Sequence, residues 1–132
     1  MLLQKTEVFE CDDLIADSII ELINKGYSTN FSCSGHVDKK TMSGNRINFD
    51  TYIMFDRFPS FFMKGMKPNN WVEDYMDNHK VINRYFTFEE DVTFTDEQML
   101  QIASQELYNW AKSLDPIGYL YSHITIEAVE DN

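Results

Sequence analysis

The order of predicted elements specifies an α+β fold. It reads strand–helix–strand–strand–strand–helix–strand (βαβββαβ), a two-layer sandwich in which a mainly antiparallel sheet of four or five strands carries two amphipathic helices on one apolar surface. Three observations predict it. Segments 14–25 and 95–114 repeat apolar residues at helical spacing between capping residues. Five other segments have the length and residue types of strands. A hydrophobic fraction of 43% over 132 residues is enough to bury one core without disulfides or metals, so a single domain spanning 1–132 is expected.

Residues 3–9, LQKTEVF, read as the first strand. Asp12 and Asp13 offer an N-cap and favourable charge for the following helix, whose stripe is Ile15, Ile19, Leu22 and Ile23. Gly26 sits where a left-handed C-cap is wanted, with Lys25 in the last turn. In YSTNFSC, residues 27–33, Tyr27, Thr29, Phe31 and Cys33 alternate with Ser28, Asn30 and Ser32, the period of a half-buried strand. A polar loop with Gly35 and Gly44 leads to a dense strand, INFDTYIMFD, at 47–56. Together these two strands predict a hairpin with a long basic connection.

Segment 57–80 resists placement. Pro59, Gly65 and Pro68 break it, yet it holds Phe58, Phe61, Phe62, Trp71 and Tyr75. The expectation is a loop with a short helix at 71–78. VINRYFTF at 81–88 is the next strand, Thr95 with Gln98 is a capping box, and the second helix runs to about Leu114 on a stripe of Leu100, Ala103, Leu107, Trp110, Ala111 and Leu114. YLYSHITIEAV, 119–129, closes the chain as a strand.

Charge is unevenly spread. The net charge of −11 divides into −5 over residues 1–38, +3 over 39–84 and −9 over 85–132. This balance argues against direct nucleic-acid binding, which needs clustered positive charge. An acidic flank is ordinarily a solvated surface, but it can also steer a basic partner. No apolar run reaches the length of a membrane span, and the start MLLQKTEVFECDD has too short an apolar region for a secretory signal. With two cysteines only, no disulfide framework is implied, and a cytoplasmic location is expected.

The residues that point to chemistry follow the second strand. In Ser32-Cys33-Ser34-Gly35-His36, small residues and a glycine let successive amides turn inward to hold an anion, two hydroxyls add donors, and His36 adds a proton or charge near neutral pH. The plain alternative is a buried small Cys33 and a Ser34-Gly35 turn. Cys33 and His36 also have the spacing of two metal ligands, with Cys11, His79 or His123 to complete a set, but a structural zinc site shows paired motifs and only one is present here. A Cys33 nucleophile with His36 as base has no evident third member. No metal or other cofactor is expected. Downstream, Arg46, Arg57, Lys64, Lys67 and Arg84 interleave with aromatic residues, a combination that holds phosphates and stacks bases; the same rings can equally fill a small core beneath a long loop. Arg57, directly after YIMFD, is the preferred contact, because pairing of the two strands would let it converge on the 32–36 loop. Phe58 and Arg84 complete the expected ligand set of Ser32, Cys33, Ser34, Gly35, His36, Arg57, Phe58 and Arg84.

The segment YSTNFSCSGH, 27–36, resembles the YxTTSSCSGR segment of the tRNA wybutosine-synthesis methyltransferase family, with His36 where that family has arginine. That resemblance implies chemistry on RNA by Cys33 and His36, with methyl transfer from S-adenosylmethionine. The chain as a whole is similar to small phage and prophage proteins of Gram-positive bacteria that carry GYxTxFSCSGH followed by YIxFD, here 26–36 and 52–56. That resemblance implies a counter-defence protein of the host cytoplasm, which sequesters a nucleotide signal or covers an effector. The leading expectation is thus a non-enzymatic binding protein with a pocket for a small anionic, nucleotide-like ligand. Two alternatives stand beside it: an acidic inhibitor that occupies the nucleic-acid-binding surface of a host effector, and an RNA-modifying enzyme. Expected partners are the small anion or a host defence protein, without membrane or direct nucleic-acid contact; self-association is left open.

Overall fold

The computed structural model describes residues 3–8, 13–57, 66–77, 79–116 and 121–127; for residues 3–8, 13, 28, 30, 31, 56, 57 and 121–127 it describes the backbone alone. In chain order the elements are β1 (Leu3–Val8), α1 (Asp13–Asn24), β2 (Ser28–Ser34), a 3-10 turn (Val37–Lys39), β3 (Thr41–Ser43), β4 (Arg46–Arg57), β5 (Trp71–Met76), β6 (His79–Thr87), α2 (Phe88–Thr93), α3 (Asp96–Ser113) and β7 (Tyr121–Glu127). A five-stranded antiparallel sheet runs β2-β4-β6-β5, with the short β3 pairing β4. The α+β sandwich read from the sequence is therefore the architecture found. β1 and β7 form a separate parallel pair. No helix among the described residues is long and apolar enough to cross a membrane.

The core lies between the helices and one face of the sheet. Ile15, Ile19, Leu22 and Ile23 of α1 meet Leu100, Ala103, Leu107 and Ala111 of α3 over Ile47, Phe49, Ile53 and Phe55 of β4 and Ile82 and Phe86 of β6. Both predicted stripes are buried as expected, Trp110 only in part, and Met99 joins the second. The end of α1 is a Schellman closure: Tyr27 donates its N–H to the Leu22 carbonyl and Gly26 to that of Ile23, both at 2.9 Å, with Gly26 at φ 98°. Lys25 does not merely neighbour its own helix end. Its Nζ donates to the Ala111 and Lys112 carbonyls at 2.8 and 2.9 Å, so α1 caps the C-terminus of α3.

Four elements differ from the sequence reading. Residues 71–76 are a strand, β5, because Trp71 and Glu73 pair across the sheet with Arg84 and Ile82 instead of completing a helical stripe. His79, expected in a loop, opens β6, and the 39–46 connection contains β3. Residues 88–93 form a helix of their own, opened by the Thr87–Glu90 capping box. Asp12, Phe58, Phe61, Phe62 and Lys64 lie outside the described residues, as do the side chains of Asp13, Arg57 and His123.

Register shifts set the faces of the sheet, and two of them bear on the 32–36 loop. In β2 the register advances from Thr29 opposite Phe55 to Phe31 opposite Met54, so one residue is extra and the alternation reverses beyond it. As a result Ser32 and Ser34 share the helix-covered face with Ile53 and Thr51, while Cys33 lies on the other face beside Tyr52. The simple period of two had placed Cys33 inward. In β4 a wider bulge between Asn48 and Tyr52, with Asp50 at φ 62°, bows the strand opposite Arg84.

Candidate functional site

The 32–36 loop packs against the β4 bulge. Ser34 is buried and its carbonyl accepts the Thr51 hydroxyl at 3.3 Å, while the His36 N–H is donated to the Phe49 carbonyl at 3.0 Å. Gly35 is held at φ 92°, and a Cβ there would lie 2.3 Å from Thr51 Oγ1, 2.7 Å from Leu100 Cδ2 and 3.1 Å from the Phe49 carbonyl. Glycine is therefore required by contact as well as by backbone conformation. The His36 amide that would have faced an anion is spent on the bulge. Ser32, Cys33 and His36 are half-buried, and Cys33 is a free thiol. Among the described residues no three or more His, Cys, Asp or Glu side chains gather as metal ligands.

The expected convergence of Arg57 on this loop does not occur. Antiparallel pairing sets Arg57 opposite Ser28, whereas Ser34 faces Thr51. Six strand steps separate the two ends, about 20 Å. Arg84 lies nearer, on β6 opposite the β4 bulge, but it is interior, with a relative exposure of 4%. Its Nε meets Glu106 Oε1 at 2.7 Å, its Nη2 meets Glu90 Oε2 at 3.2 Å, its Nη1 donates to the Tyr85 carbonyl, and its guanidinium stacks over Phe86 at 4.2 Å. Ser34 and Gly35 on one side of β4 and Arg84 on the other are thus all buried, each against its own partners.

The other inner cations are spent in the same way. Lys40 reaches Asp91, and Asp96 at 3.0 Å; the hydrogen bonds its ammonium donates to these two carboxylates hold its pKa above the ordinary lysine value. Lys80, at 1% exposure, donates to the Met66 carbonyl at 2.8 Å and pairs with Glu73 at 3.2 Å; burial lowers its pKa against the pull of that carboxylate. Three cations of the positive middle, Lys40, Lys80 and Arg84, are therefore matched by carboxylates within the fold. Lys40 and Arg84 each face two carboxylates, so each cluster keeps a surplus negative charge. Glu89 and Glu97 stand exposed beside these clusters.

Helix α2 buries no residue. Its helical spacing is inverted: Glu90 and Asp91 turn inward to Arg84 and Lys40, while Phe88, at 40% exposure, and Val92, at 88%, share the outer side with Glu89. Phe94 follows at the helix end, also exposed. The sequence signal for this element was the Thr87-x-x-Glu90 box, which the strand assignment of 81–88 absorbed.

A cleft of about 350 Å³ opens elsewhere, between the 67–69 turn and α3, lined by Lys67, Asn69, Glu106, Asn109, Trp110 and Ser113. Lys67 makes no ion pair among the described residues. Trp71, just past the turn, is buried, and its Nε1 has no hydrogen-bond partner among the described residues.

Comparison with family models, curated proteins and solved structures finds no match to this chain.

Proposed function

We propose that the chain is a non-enzymatic acidic binding protein that occupies a basic, nucleic-acid-binding surface of a host effector, in the manner of a phage counter-defence protein. One observation carries this reading: Lys40 and Arg84 are each matched by two carboxylates, so Arg84, expected to bind an anion, is consumed and the surface around 89–97 is left acidic. Such a surface attracts basic partners over long range and competes with phosphates for the same lysines and arginines. The test is displacement of a labelled duplex from a panel of basic host proteins by the purified chain. Glu89→Gln with Glu97→Gln should weaken displacement at least about tenfold, the equivalent of about 1.4 kcal/mol, while Arg57→Ala should leave it unchanged. Displacement indifferent to both acids would refute the reading.

The cleft supports a second reading, closer to a nucleotide pocket. Lys67 borders it, making no ion pair among the described residues, beside the Trp110 ring, two asparagine amides and Glu106, which Arg84 holds. Here the ligand is a small planar anion, and a thermal shift with mononucleotides that Lys67→Ala abolishes would favour it over the acidic surface.

A further inference from the structure

We infer that the outer side of α2, with Phe94, is a docking ridge for a basic amphipathic helix of the partner; this rests on the reading of the chain as an acidic binding protein and specifies what it grips. A surface helix normally turns its apolar side to the core and its charges to water. In α2 the arrangement is reversed, and the reversal is enforced from several directions. The Thr87–Glu90 capping box fixes the start, Thr93 Oγ1 donates to the Glu89 carbonyl at 2.9 Å, and the Phe94 N–H closes on the Glu90 carbonyl at 2.8 Å. Arg84 holds Glu90 from below and Lys40 holds Asp91 from the side. Phe88 and Val92, four residues apart, are thereby kept on one exposed line. Single exposed apolar residues are ordinary on a protein surface. A helix with no fully buried residue, turned by ion pairs so that Val92 and part of Phe88 face water, adds little to the core; grouped exposed apolar residues of this kind mark interaction surfaces.

The neighbourhood extends the ridge. Lys40 draws the 37–42 strap toward α2 and the start of α3, and this strap carries the exposed Val37 and Met42. Thr87 pairs with Arg46, so the β3–β4 hairpin ends beside the helix. Charge complementarity selects the occupant. Exposed Glu89 and Glu97, with the surplus charge of the two clusters, flank the apolar line, and the chain carries a net charge of −11. A helix with one apolar stripe edged by lysine or arginine satisfies both features, as helix-in-groove partners do. A second copy of this chain would set acid against acid.

The experiment titrates the full chain with two labelled peptides of equal length and charge, a helical leucine–lysine amphipath and a lysine–glycine peptide, followed by fluorescence anisotropy. The amphipath should bind at least about tenfold more tightly, and Phe88→Ser with Val92→Ser should remove that advantage. Tyr75→Ser with Met76→Ser, which alters exposed residues of β5, should not. Val92, at 88% exposure, should be replaceable without change in melting temperature, and Phe88, at 40%, with a small loss that a melt records beside the titration. Equal binding of the two peptides would overturn the ridge and leave the acidic-surface reading intact. Binding of neither peptide would overturn both. Self-association in sedimentation that Val92→Ser abolishes would assign the ridge to a second copy and overturn the helix partner.

Discussion

Replacing Gly35 by alanine tests whether the 32–36 loop is a structural joint. Two costs combine at this position. At φ 92° an L-residue is strained, for about 1–3 kcal/mol. The new methyl also meets Thr51 Oγ1 at 2.3 Å and Leu100 Cδ2 at 2.7 Å, with the Phe49 carbonyl behind them at 3.1 Å. Overpacking a tight core site adds about 1–3 kcal/mol, and here relief would require moving the β4 bulge that accepts the His36 N–H. A total of about 2–6 kcal/mol follows, a large part of the stability of a domain this size. Gly44→Ala is the built-in control, since Gly44 also has positive φ, 60°, but meets nothing within 4 Å; it should cost only about 1 kcal/mol. Circular-dichroism melts of the two variants should differ by roughly 4–20 °C, at about 4 °C per kcal/mol. Equal melting temperatures would refute the close approach and reopen the loop as a site.

Three further outcomes follow from the same contacts. Arg84→Met leaves Glu106 and Glu90 without their cation and should cost about 3–5 kcal/mol in urea unfolding; adding Glu106→Gln should recover part of it, and no recovery would contradict the pairing. Tyr27, whose hydroxyl donates to the Asp115 carbonyl, has its pKa pushed up from 10.0 to about 12, chiefly by burial and then by the Asp115 charge. A raised phenol pKa means that the unfolded chain loses its proton first. The contribution is complete below pH 10 and falls by about 2–3 kcal/mol as pH rises through about 12. The stability gap between wild type and Tyr27→Phe should therefore shrink over that interval, and a constant gap would exclude the shift. Lys25→Met removes the caps on Ala111 and Lys112 and should cost about 1 kcal/mol; a loss no larger than that of Lys112→Met, a largely exposed side chain, would deny Lys25 its capping role.

The sequence by itself determined the class of fold, because helical stripes, capping residues and alternating strands are local patterns tied to local geometry. Ile15, Ile19, Leu22 and Ile23 bury as their spacing requires, and Gly26 ends its helix as its missing side chain allows. The tertiary structure decided what no local pattern carries. One extra residue in β2 reversed the faces beyond it and turned Ser34 inward, because side-chain direction depends on every step of register. Antiparallel pairing placed Arg57 at the far end of the sheet from His36. Lys40 and Asp91, fifty-one positions apart, became partners, as did Arg84 and Glu106, so two cations of the basic segment are held by acids from the acidic one. Charge adds along a sequence, but its effect depends on distance in space, and only the folded chain shows which carboxylates remain facing water.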